Sequence, residues 1–268
     1  MGGEEIFHVA AMPPAEMTPD LVSKIAAAVK QPDYQIRFQL AGGLPRMIGH
    51  FKELNEARQA AQSLTVLKVA AFTIAESELR RGVSPEITPF SIDLDDDQTI
   101  FTSHDGKNLT LNGADVFLIL AGRRTGNFVE DTVAKSTMKV NVAATMLTGG
   151  IPVMKRVTTK TNEPLGIVEQ FVRMYGRESD APMVEICQFD FDYSFLGEKM
   201  ELTTTCNFDT LVDFLKRRFQ KAYFNGTMLA GFVPGSGGGP AIDVAEQSCL
   251  LLARYYRTMA EDQPGEAR

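Results

Sequence analysis

The sequence predicts an α+β protein of two domains, and three observations carry that expectation. In the first 90 residues, short apolar runs alternate with amphipathic segments of helical period. Residues 183–197 (MVEICQFDFDYSFLG) hold the strongest two-residue alternation in the chain, and together with residues 168–176 (VEQFVRMYG) they read as an antiparallel hairpin across the turn-rich 177–182. Two further helical patterns, 208–223 and 241–259, close the chain. A chain of 268 residues is long enough for one large domain or two small ones and needs no covalent staple.

From the N-terminus, residues 6–12 form a short apolar strand. Thr18, Pro19 and Asp20 then supply an N-cap, a proline at the first helical position and an acid near the positive helix end. They start a helix that runs to about Val29, with Leu21, Ile25, Ala28 and Val29 as its apolar side. Residues 34–40 alternate Tyr34, Ile36, Phe38 and Leu40 against Gln35, Arg37 and Gln39, and Gly42-Gly43-Leu44-Pro45 turns that strand into a second one at 46–51. The Ala-rich segment 55–64 is a helix with Asn55 as its cap, and 68–74 returns as a strand. The resulting order, β-α-β-β-α-β, is that of a ferredoxin-like domain with its helices on one face of an antiparallel sheet. Such a topology assigns no activity by itself.

Residues 76–89 are charged and end in two prolines four residues apart, which places a domain boundary near Ser84 and divides the chain into 1–84 and 85–268. The second domain reads as mostly antiparallel β. Strands are expected at 90–94, 98–103, 108–111 and 115–121, with tight turns at Asp105-Gly106 and Asn112-Gly113. In 133–148, Val133, Thr137, Val140, Ala144 and Leu147 recur at helical spacing and predict a helix, although 139–143 also alternates as a strand would. Residues 151–159 resume strand character. Asn207 is the expected cap of a helix whose buried stripe is Phe208, Leu211, Val212, Leu215 and Phe219. Several strands closed by C-terminal helices suit a bent sheet or small barrel and are similar in arrangement to pleckstrin-homology-like domains. The similarity is not one of motif, so it implies no lipid site.

The net charge of −7 argues against general nucleic-acid binding. The charge is uneven, however: residues 120–180 carry nine Lys or Arg against six acids, and 91–119 carry six Asp against one Lys. A basic patch of Arg123, Arg124, Lys135, Lys139, Lys155, Arg156 and Lys160 facing an acidic partner competes with the simpler account of a solvated surface of mixed sign. Three cysteines, Cys187, Cys206 and Cys249, have no paired spacing, which fits a reducing cytoplasm better than a disulfide framework or a zinc ribbon. No apolar run is long enough for a transmembrane segment, and the first residues lack the basic flank and cleavage site of a signal peptide.

The segment Gly235-Ser236-Gly237-Gly238-Gly239-Pro240 lies directly before the last helix, where backbone N–H groups and the helix dipole can hold a phosphate. It has neither the Lys-Ser/Thr of a Walker loop nor the setting of a dinucleotide fingerprint, and a flexible connection explains its glycines more economically. Asp93, Asp95, Asp96 and Asp97 lack the glycine and glutamate of a calcium loop, so solvated turn residues are the favoured reading. His8, His50 and His104 are scattered and fall in no metal or triad motif. Cys187 reads as an inert buried thiol and Cys206, near a helix start, as the more reactive one. Asp190 and Asp192 on one strand face are expected to pair across the hairpin with Glu169, Arg173 and Arg177.

No catalytic constellation, cofactor motif or metal set is present in the sequence. The first functional reading is therefore a non-catalytic cytoplasmic regulatory or assembly module that acts through a protein partner or self-association. The alternative is an enzyme or sensor that takes a phosphorylated or otherwise anionic small molecule at the 235–240 loop, with a basic group such as Arg123, Lys155 or Arg156.

Overall fold

A computed structural model of the chain describes residues 5–95, 97–128, 134–140, 154–160, 165–230 and 242–262. It is a mixed α+β structure with four small sheets among the described residues, none of which closes into a barrel. The elements are β1 (Phe7–Ala11), α1 (Pro19–Val29), α2 (Asp33–Gln39), β2 (Arg46–Phe51), α3 (Leu54–Val66), β3 (Ala71–Ala75) and α4 (Glu76–Arg81). They are followed by a meander, β4 (Ser91–Leu94), β5 (Gln98–Thr102) and β6 (Asn108–Asn112), and by β7 (Leu118–Phe128), β8 (Ala134–Val140), β9 (Met154–Lys160), β10 (Leu165–Tyr175) and β11 (Pro182–Cys187). The last described elements are α5 (Thr204–Arg218), β12 (Tyr223–Gly226), α6 (Thr227–Ala230) and α7 (Ile242–Asp262).

The first sheet has the order β2-β1-β3, antiparallel throughout. Thr18 caps α1 as its sequence indicates: its side chain accepts from the Leu21 backbone N–H at 3.2 Å. The buried side of α1 is Val22, Ile25, Ala26 and Val29, one position round the helix from the expected stripe. The expected strand at 34–40 is instead α2, so the four-stranded ferredoxin-like sheet is replaced by a three-stranded one. Alternation misleads here because Ile36 and Leu40, the residues that are buried, are spaced four apart and satisfy a helix equally well. Pro32 sets the extended N-cap, and Asp33 in the first turn accepts from Ser23 Oγ at 2.5 Å.

The main sheet of the second half has the order β11-β10-β7-β12, with β12 parallel to β7 and the other pairs antiparallel. One face packs Ile119, Ala121, Val172, Met174, Val184 and Ile186 against α5 and the meander, and the expected stripe of Phe208, Leu211, Val212, Leu215 and Phe219 lies in that core. Thr203, not Asn207, caps α5; Asn207 lies inside the helix and ties its side chain to the backbone of Glu201.

The opposite face packs on α7, which is apolar on two sides. Ala245, Cys249, Leu252 and Ala253 meet Leu118, Leu120, Phe171 and Tyr175 of the main sheet. Leu250 and Leu251 meet Ala10, Phe72 and Ile74 of the first sheet. A helix buried on two sides joins two sheets that have no strand in common. Among the described residues no helix is long and apolar enough to cross a membrane.

Two further expectations change. The long strand 183–197 stops at Cys187. Asp190 N–H then turns back to the Cys187 carbonyl, and Asp192 binds the backbone N–H and hydroxyl of Ser194. Phe191 and Tyr193 are buried from irregular backbone, so the alternation records burial without a strand ladder. The helix expected over 133–148 is strand at Ala134–Val140, paired antiparallel with β9; residues 133 and 141–148 lie outside the described residues.

Candidate functional site

On β10, Glu169, Phe171, Arg173 and Tyr175 follow at two-residue spacing and share the face that packs on α7. The register sets Arg124 of β7 opposite Glu169, and Glu185 of β11 opposite Arg173. The result is a buried charge cluster. Arg124 reaches Glu185 at 2.8 Å and Glu169 at 3.4 Å and donates to Cys187 Sγ at 3.1 Å; Arg173 donates through Nε to Glu185 and comes within 3.7 Å of Glu246 on α7. Arg173 is 4% exposed.

Burial and charge oppose each other in this cluster. Desolvation would raise the Glu185 carboxyl, but Arg173 and Arg124 together outweigh it and hold the group below the usual carboxylate range. Desolvation wins at Glu169, which faces one guanidinium and sits above its usual range. Burial pushes the Cys187 thiol up to about 12, consistent with an inert thiol in spite of its contact with Arg124.

Arg173 and Tyr175 also line a cleft of about 360 Å³ between α4 and α7. From α4 and the residues after it come Leu79, Arg80, Gly82 and Val83; from the β10–β11 connection, Asp180 and Pro182; and from the first turns of α7, Val244, Glu246, Gln247 and Leu250. Ion pairs hold these walls together. Asp180 is bound by Arg257 and, at 3.2 Å, by Arg254, and Arg254 also bonds Glu78 of α4. Arg80 leads away from the cleft into a chain of short contacts. Its Nε donates to Glu76 Oε1 at 2.6 Å, His8 Nε2 donates to Glu76 Oε2 at 2.6 Å, and His8 Nδ1 lies 2.6 Å from His50 Nδ1.

Of the residues singled out in the sequence, Gly235, Ser236, Gly237, Gly238 and Gly239 lie outside the described residues; they precede α7, whose first turns wall the cleft. Arg123 stands opposite Gln170, and Arg124 is engaged in the buried cluster. In the β8–β9 ribbon Lys139 is directly opposite Lys155, whereas Lys135, Arg156 and Lys160 are opposite Thr159, Met138 and Ala134. Arg173 pairs with Glu185 and Glu246 rather than with Asp190 or Asp192. Asp190 meets His104 at 3.0 Å on the surface, and Asp192 serves the Ser194 turn. Among the described residues no group of three or more His, Cys, Asp or Glu is placed to hold a metal ion.

The site residues that sequence reasoning missed are Arg80, Asp180 and Glu246 in the cleft, and the joining of His8 to His50 through Glu76. A local signal existed for His8, Glu169, Arg173 and Glu185, which are polar residues inside otherwise apolar strands. No protein-family model matches the chain, and no curated protein or solved structure shows significant similarity to it.

Proposed function

We propose that the chain is a cytoplasmic regulatory module that binds a small anionic molecule in the cleft between α4 and α7. The observation that carries this reading is Arg173, a buried guanidinium that lines a cleft of ligand size and whose contact there with Glu246 is loose, at 3.7 Å. An anionic ligand would take the place of the half-exposed Glu246 carboxylate at that edge of Arg173; Arg80 brings a second positive charge to the same space, and the Asp180 carboxylate there is already held by Arg254 and Arg257. The cleft draws its walls from α4, beside the first sheet, and from β10 and α7, so an occupant would stabilise the packing of the two halves. A regulatory rather than catalytic role is supported by the engagement of Asp180 with two arginines. The free thiols of Cys187, Cys206 and Cys249 support a reducing compartment.

The test is a thermal melt of the full chain against phosphate, sulfate, citrate, sugar phosphates and nucleotides. A ligand present at about 100 times its Kd stabilises by about 2.7 kcal/mol. The expected result is a rise of several degrees with at least one compound, lost in Arg80→Gln; a flat response across the panel counts against the reading. Gly238→Asp tests in the same assay whether the segment before α7 contributes.

A second reading, association with a protein partner or another copy of the chain, is favoured by the exposed aromatics of α2, Tyr34 at 75% and Phe38 at 84%. Sedimentation that shows a monomer at all concentrations, unchanged by Phe38→Ser, would remove its support.

A further inference from the structure

The chain Arg80–Glu76–His8–His50 runs from the rim of the cleft to a second histidine on the edge strand β2. Donor and acceptor chemistry fixes its protons. The Glu76 carboxylate only accepts, so His8 carries its hydrogen on Nε2. In neutral His8, Nδ1 is then bare, and the contact of 2.6 Å requires the hydrogen on His50 Nδ1. This leaves His50 Nε2 as the basic nitrogen of the neutral pair; a proton taken up there leaves every bond of the chain in place, and its charge is shared by the two rings across the Nδ1–Nδ1 contact, with His8 beside the Glu76 carboxylate.

We infer that anion binding in the cleft is coupled to proton uptake at His50, with Arg80 as the link. The inference rests on the cleft being an anion site. Arg80 is 78% exposed along its side chain and bonds Glu76, so its guanidinium can turn to an anion in the cleft at little cost in packing. Glu76 then loses its closest cation while a new negative charge arrives nearby, and both changes favour an imidazolium at the other end of the chain. By linkage the same free energy acts in reverse: the anion binds more tightly once His50 is protonated. Among the described residues, His8 and Glu76 are titratable groups that act on His50, and Arg80 bonds Glu76; farther along α4, the Ser77 N–H donates to the Glu5 carboxylate and Glu78 pairs with Arg254. Arg254 is held by Glu78 and Asp180, which leaves Arg80 as the mobile cation of the set.

The experiment follows the histidine ring signals of the full chain by NMR from pH 5 to 8, with and without sulfate at constant ionic strength. Sulfate does not titrate in this range. The ring of His104, bonded to Asp190 on the meander side, reports unspecific salt effects. The expected result is a His50 midpoint raised by about half a unit, a roughly threefold gain in proton affinity. Sulfate should bind roughly threefold more tightly below that midpoint than above it, and in Glu76→Gln it should bind with no such pH dependence. If backbone signals of Val83, Val244 and Leu250 move with sulfate but the His50 midpoint does not, the coupling is wrong and the anion cleft stands. If no cleft signal moves, the anion reading fails and the coupling falls with it.

Discussion

Glu185 bridges two guanidiniums inside the main sheet: one carboxylate oxygen lies 2.8 Å from Arg124 Nη1 and the other accepts from Arg173 Nε. All three side chains are largely buried. Glu185→Gln keeps the volume and removes the charge, so two arginines are left without their shared counter-ion. Breaking one partner of a buried pair costs about 3–5 kcal/mol. The expected loss on urea unfolding is of that size, whereas replacing the whole cluster, Arg124→Met, Glu169→Leu, Arg173→Met and Glu185→Leu combined, should recover most of it. A Glu185→Gln chain of ordinary stability would mean that water reaches the cluster and solvates the arginines.

His50 makes the stability of the fold depend on pH. Burial, followed by the neighbouring His8, holds His50 below its ordinary value of 6.5, against a smaller pull from Glu76. The unfolded chain therefore takes up the proton before the folded one. The stability contributed by the neutral ring is full above about pH 6.5 and is lost as pH falls through that value toward the folded pKa. Glu185 adds a second loss at lower pH, because its folded pKa is depressed; Glu169, raised by burial, has the opposite sign, losing stability as pH rises through its folded value. Comparing melting temperatures of wild type and His50→Gln between pH 8 and 5.5 isolates the histidine, since the carboxylates are common to both. The variant should show the shallower fall with acid, and identical slopes would remove His50 from the account.

The thiols should separate cleanly. Cys206 is exposed in the first turn of α5, whereas burial pushes both Cys187 and Cys249 up to about 12. A disulfide reagent at pH 8 is expected to titrate one thiol quickly and the other two only on unfolding, with the fast phase absent in Cys206→Ser. A second fast thiol would show that the sheet face beneath α7 opens readily.

Local chemistry was legible in the sequence, and long-range assembly was not. The start of α1 follows from Thr18, Pro19 and Asp20 because a cap needs only four neighbouring residues. The stripe of α5 and the hairpin of β10 with β11 are equally local. At α2 and at β8 two periods fit the same residues, and tertiary packing chose between them. Burial of Ile36 and Leu40 selected helix, and pairing of Thr137 with Val157 selected strand. The cleft had no local signal at all, because its walls meet only when α7 returns to α4, bringing Arg254 to Glu78, 176 positions earlier. The basic residues chosen by density included Arg124, whose charge is taken up by acids on two other strands.

Gly122 is where β7 permits α6 to approach. A Cβ built at this position would lie 2.7 Å from Met228 Cε and 2.8 Å from the Phe171 ring, closer than packed carbon atoms approach one another. Met228 is buried and belongs to the core that α7 shares with Phe171 and Tyr175, so it can move only by disturbing the packing beneath α7. Gly122→Ala is therefore expected to destabilise by about 1–3 kcal/mol, the usual effect of overpacking, even though alanine suits a strand better than glycine. Gly122→Ala combined with Met228→Ala makes room and should cost less than the sum of the two single changes. Urea unfolding of the four proteins measures the coupling directly, and strict additivity would show that the two residues do not meet in solution.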